Sequence, residues 1–179
     1  EVTGLVTFAR SQRAIDTTLE ARRQGTYSRL YLALASVAPD ASEGRWDWPI
    51  ARHPREKRLR IAGEGRDAQV AETDFRVHAR CAGAVLLHLF PRTGRTHQLR
   101  VHAARAGAPL LGDTAYGGAR RAVLPDGRVR TAERVMLHCA RIVLPHPRSG
   151  ELREFRSPVP EDFERLWVGL GGAAEDVLF

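Results

Sequence analysis

Apolar positions recur along this chain with two periods. An apolar or β-branched residue tends to fall at every second position in Glu1–Arg10, Tyr27–Ser36, Thr73–Arg80 and Met136–Pro145, the period of a half-buried strand. Ala84–Phe90 is a near-continuous apolar run of strand length, separated from Thr73–Arg80 by Ala82-Gly83. Elsewhere the period is helical. Ala14, Ile15, Thr18, Leu19 and Arg22 share one face between a capping Ser11 and a terminating Gly25. A second helix is predicted from about Thr96 to about Ala106, with Thr93 and Thr96 as candidate caps and Gly107 just past its end. A short closing helix follows Val159-Pro-Glu-Asp-Phe163 and runs through Leu170. His146–Gly150 reads as a hairpin turn between Met136–Pro145 and Glu151–Phe155, and Pro125-Asp-Gly127 as a turn within the polar loop Gly118–Thr131. Short turns join most neighbours, so the expectation is one α+β domain over 1–179, a mixed, largely antiparallel sheet flanked by helices.

Composition narrows the class of protein. The apolar share of 43% suits a globular core, and no apolar run approaches the roughly 20 residues of a membrane span. Lys and Arg number 28 against 21 Asp and Glu, a net charge of +7 that favours a polyanionic partner such as nucleic acid. The basic run Arg52–Arg60 reads as an irregular loop; Trp46 and Trp48 before it read as anchors at the sheet edge, with base stacking as their other use. Cys81 and Cys139 have no C-x-x-C spacing, which points to reduced thiols and a cytoplasmic setting. His97 and His102, five apart and without a carboxylate at ligand spacing, do not form a metal site. No metal, cofactor or membrane is expected, and a monomer is.

The densest signal is Thr93-Gly-Arg-Thr-His-Gln-Leu-Arg-Val-His102, followed by Gly107-Ala-Pro-Leu-Leu-Gly-Asp113 and Tyr116-Gly117. It is a strand end, a turn and a cationic helix start, an arrangement that suits a polyanion. The stretch resembles the third motif of the RluA-type pseudouridine synthases. Arg29-Leu-Tyr-Leu-Ala33 is similar to their second motif, with Arg29 where Lys is usual, and Met136–Gly150 is similar to their closing hairpin, with Cys139 where Ala is common.

The resemblance implies isomerisation of uridine in ribosomal or transfer RNA by one Asp carboxylate, acting as nucleophile at the ribose or as a base, without a cofactor. Glu1-Val-Thr-Gly-Leu5 aligns on the tail of the first motif, which places that Asp two positions before Glu1, outside the sequence. The chain is therefore expected to be an N-terminally incomplete catalytic domain without an S4 domain, and inactive by itself. By the same resemblance Arg100 is the candidate partner of the Asp and Tyr31 the residue stacked on the flipped uracil. Leu99 and Leu111 would wall the pocket, and Arg29, Arg92, Arg95, Thr96, His97, Gln98 and Arg105 would contact RNA. The competing reading is a non-catalytic RNA-binding module derived from this fold.

Overall fold

The computed structural model describes residues 2–178. In chain order the elements are β1 (Thr3–Gly4), α1 (Gln12–Arg23), β2 (Ser28–Ala35), β3 (Glu43–Trp46), β4 (Ile50–Arg52), β5 (Arg60–Ala62), β6 (Thr73–Arg80) and β7 (Val85–Pro91). They continue with α2 (Gln98–Arg105), β8 (Arg121–Val123), β9 (Val129–Thr131), β10 (Leu137–Pro145), β11 (Leu152–Arg156) and α3 (Glu161–Gly169). Seven strands form the main sheet in the order β1-β10-β2-β7-β6-β3, with β11 also on β10. β1 runs parallel to β10 and every other pairing is antiparallel, the mixed α+β sheet that the alternating pattern predicts.

Two cores sandwich the sheet, because consecutive residues of β2 and β7 point to opposite faces. Leu30, Leu32, Leu34 and Leu86 pack on Phe163, Leu166, Trp167 and Leu170 of the α3 region. Ala33, Ala35, Leu87 and Leu89 pack on Leu99 and Ala103 of α2. Leu86 and Leu87 are both fully buried, each worth about 2 kcal/mol of transfer free energy. Covering on both sides is why β7 reads as a continuous apolar run rather than an alternation.

Three segments differ from the sequence expectation. The strand expected over 1–10 shrinks to Thr3 and Gly4, which pair with His138 and Cys139, while Glu1 lies outside the described residues. The same edge of β10 from Arg141 onward is occupied by β11, so the chain leaves the ladder and exposes Val6 and Phe8. Second, the basic stretch expected as an irregular loop contains the paired strands β4 and β5, Ile50 facing Ala62 and Arg52 facing Arg60, with 53–59 as their connection. Ile50 is buried with Ala71 and Val101, a satellite core too small to impose a visible period. Third, the polar segment 118–131 folds as the β8–β9 hairpin, Arg121 facing Thr131. Trp46 is the anchor it reads as: it is buried and stacked on Phe75 at 4.3 Å between ring centroids.

Candidate active site

The rim of the sheet at the end of β7 carries the organising motif, and one buried amide shapes it. Gln98 Oε1 accepts from the Thr93 hydroxyl at 2.7 Å and from the Arg95 N–H at 3.0 Å, while Nε2 donates to Glu72 O and to Thr73 Oγ1. The turn is thus satisfied from inside the helix, and neither threonine caps it. α2 begins at Gln98 with His97 as its N-cap residue in the left-handed region, φ 59°, without a capping side chain. At the other end Gly107 has φ +74° and Ala108 N–H reaches back to Ala103 O, the helix stop that a glycine there predicts.

This turn borders a cleft of about 540 Å³. Tyr31, Leu99 and Leu137 supply its apolar wall, Arg29, Arg95 and Arg100 its cations, and Val2 lies at its edge. Burial, and then contact with Cys139 opposite it on β10, push the Tyr31 phenol up to about 12. Burial and the neighbouring Arg100 and Arg60 guanidinium groups lower the His97 pKa, favouring the neutral imidazole. Arg100 grips Asp113 with two hydrogen bonds, Nε to Oδ2 at 2.7 Å and Nη2 to Oδ1 at 2.6 Å. The Arg100 guanidinium also lies over the Tyr116 ring, 4.9 Å from its centroid. The Tyr116 hydroxyl is 2.7 Å from His97 Nδ1 and accepts from the Arg60 N–H at 3.0 Å, which ties the β4–β5 hairpin to the cleft.

Of the residues singled out in the sequence, Arg29, Tyr31, Arg95, His97, Gln98, Leu99 and Arg100 are brought together around this cleft. The others are not. Leu111 is 1% exposed and belongs to the α3-side core, because Leu110 and Leu111 are neighbours that face opposite layers; it walls no cleft. Arg105 lies over Trp48, 5.7 Å from its ring centroid, and Thr96 is exposed outside the cleft. Arg92 is turned to Asp74, which it shares with Arg45. Gln98, read as an RNA contact, is 4% exposed with its amide engaged by the turn and β6, so its role is to hold the loop. His102 is likewise internal, between Thr73 Oγ1 and Trp48 O. Asp113 and Tyr116 were missed as site residues. Their signal was the Gly-Asp and Tyr-Gly pairs of the quoted motif, to which spacing assigns no direction.

Solved structures share this mixed sheet. Human RNA Pseudouridylate Synthase Domain Containing 1 superposes with a TM-score of 0.63 at 27% identity, covering 85% of this chain and 62% of that one. Human RNA Pseudouridylate Synthase Domain Containing 4 shares the fold, with a TM-score of 0.67. The chain belongs to the RNA pseudouridylate synthase family, whose model matches residues 1–105. It is 36% identical to Ribosomal large subunit pseudouridine synthase D of Xanthomonas campestris pv. campestris, over 95% of this chain and 52% of that protein. It is 35% identical to RNA pseudouridine synthase 2, chloroplastic, of Oryza sativa subsp. japonica, over 91% of this chain and 41% of that protein. The chain thus spans about half the length of these relatives. No described helix is long and apolar enough to cross a membrane.

Proposed function

We propose that this chain is the catalytic domain of an RNA pseudouridine synthase acting on ribosomal RNA in the cytoplasm. The observation that carries the reading is the cleft itself, in which Tyr31, Leu99 and Leu137 line the same space as Arg29, Arg95 and Arg100, with room for a nucleotide. A flipped uracil would stack on Tyr31 against the two leucines, while the arginines offset the unstacking cost of a few kcal/mol through phosphate contacts. The reaction breaks N1–C1′, turns the uracil over and forms C5–C1′, with the C5 proton lost and one gained at N1, so no cofactor is consumed. The carboxylate it needs would come from the residue two positions before Glu1. That placement is supported by Val2, which already lies on the cleft lining. Ribosomal RNA is favoured over transfer RNA by the names of the bacterial relatives. Mass mapping of pseudouridine in ribosomal and transfer RNA, with and without the gene for the whole protein, tests this. A uridine of ribosomal RNA that stays unmodified only in the deletion strain is expected. If no position changes, and the whole protein has no Asp at the expected place, the domain is an RNA-binding module instead.

A further inference from the structure

Beside the cleft, two arginines converge with no carboxylate at ion-pair distance among the described residues. Arg22 at the C-terminal end of α1 and Arg29 on β2 both lie over the ring of the buried Tyr27, 4.8 Å and 5.3 Å from its centroid. Both also reach the same point above Gly94: a Cβ at that glycine would sit 3.8 Å from Arg22 Nη1 and 3.7 Å from Arg29 Nη2. Arg29 Nη2 donates to Pro91 O and Thr93 O, which fixes its direction, while its Nε is buried with no partner among the described residues. Neither guanidinium has a carboxylate at ion-pair distance among the described residues. A hollow of about 290 Å³ lies here, lined by Arg22, Tyr27, Arg29 and Arg92, with Asp74 on its wall held by Arg92 and Arg45. Arg29 and Pro91 line both this hollow and the cleft, so the two are neighbours, and Gly94 lies on the cleft side.

Like charges gathered on one ring raise the energy of the folded chain unless an anion sits between them. Guanidinium forks match the oxygens of a phosphodiester, and both forks here reach toward the Gly94 backbone. We propose that the notch bounded by Arg22, Arg29 and Gly94 is a subsite for the backbone phosphodiester flanking the uridine in the cleft, an inference that rests on the function proposed above. A strand whose base enters at Tyr31 would pass its adjacent phosphate over Gly94. Tyr27 would then hold the two guanidinium planes ready, and Arg29 would serve both the loop and the RNA.

Binding of the whole protein to an oligouridylate of about ten nucleotides, and separately to inorganic phosphate, across a salt series tests the notch. Arg22 is exposed on a helix and alanine is a good helix former, so Arg22→Ala is expected to fold. It should weaken oligouridylate binding about tenfold and reduce the log-log salt slope by about 0.7, one counterion on a single strand. Arg22→Lys should recover the slope, keeping the charge but not the fork. Arg13→Ala, on the first turn of α1, should change neither. Equal effects of Arg22→Ala and Arg13→Ala would overturn the proposal. So would loss of phosphate binding with oligouridylate binding intact, which would mark a site for a free anion. If RNA is modified but Arg22 is without effect on binding, the notch alone is wrong; if Arg22 sets the slope but no pseudouridine forms, the activity alone is wrong.

Discussion

Arg100 and Asp113 form a two-point ion pair across the joint between α2 and the turn that follows it, with the carboxylate only 1% exposed and the guanidinium 14%. Asp113 also accepts Gly118 and Tyr116 N–H groups on its carbonyl, so the pair is set by a closed turn. That turn requires Gly112, whose φ is +81° and whose Cβ, if present, would fall 1.8 Å from Arg134 O. The candidate catalytic arginine is therefore aimed by residues distant from it in sequence.

Asp113→Asn should leave Arg100 with a neutral partner in a largely buried place. Removal of one member of such a pair costs about 3 kcal/mol, and loss of the two-point geometry should lower turnover of the whole protein as well. Urea denaturation reads the first effect as a lower midpoint at unchanged slope. An unchanged midpoint would show that the pair contributes no net stability.

Gln98→Leu keeps the volume of the side chain and removes four hydrogen bonds from one buried amide. Thr73 Oγ1 and Glu72 O would keep only His102 and the Arg92 N–H, and the Thr93 hydroxyl and Arg95 N–H would lose their acceptor. We expect about 2 kcal/mol of destabilisation and a more protease-sensitive turn at 93–96, since unmet buried groups cost more than a hydrogen bond contributes. Limited proteolysis of parent and variant, sequenced at the cut, decides it; equal protection of the turn would remove Gln98 from this role.

The contrast between Gln98 and Arg100 shows what the sequence could convey. Periodicity located α2, its Gly107 stop and the β6–β7 hairpin, because those depend on local spacing and on apolar faces. Direction did not follow from it. Gln98 and Leu99 differ by one position and both border the cleft, yet the polar residue braces the loop from inside and the apolar one packs into the α2-side core. Leu110 and Leu111 were indistinguishable by pattern, although they serve opposite cores. The three-residue strands β4, β5, β8 and β9 have no room for a period, and β1 is shortened by competition with β11 for one strand edge, a contest between segments some 150 residues apart.

His88 on β7 stacks on His78, 4.0 Å between centroids, and its Nε2 is buried without a partner among the described residues. Burial first, then His78, Arg76 and Arg141, hold its pKa down to about 4 from the ordinary 6.5. As pH falls the unfolded chain takes up this proton before the folded one. The associated stability is therefore complete above about pH 6.5 and is lost as pH falls toward 4, amounting to about 2 kcal/mol after allowance for partial exposure. His88→Leu should flatten that part of the stability profile, measured as urea midpoints from pH 4 to pH 8. Parallel profiles for parent and variant would rule His88 out as the cause.

The last prediction concerns Tyr31, whose phenol is pushed up to about 12 by its burial and by Cys139. At neutral pH it is protonated, so it meets a uracil as a ring and a neutral hydroxyl. A phenol so hard to ionise has a strongly basic conjugate form, the match needed for a weakly acidic C5–H, and a proton could pass through it only as its own is handed on. Tyr31→Phe preserves the ring and should keep RNA binding within about threefold, while turnover of the whole protein falls about 10²-fold, the usual worth of a positioned acid–base group. The parent's rate should show no alkaline limb from this residue below pH 10. Single-turnover assays on ribosomal RNA from a strain lacking the gene provide the measurement. Near-normal turnover by Tyr31→Phe would reduce Tyr31 to a stacking surface, and a rate rising through a pKa near 10 would contradict the burial that sets its proton in place.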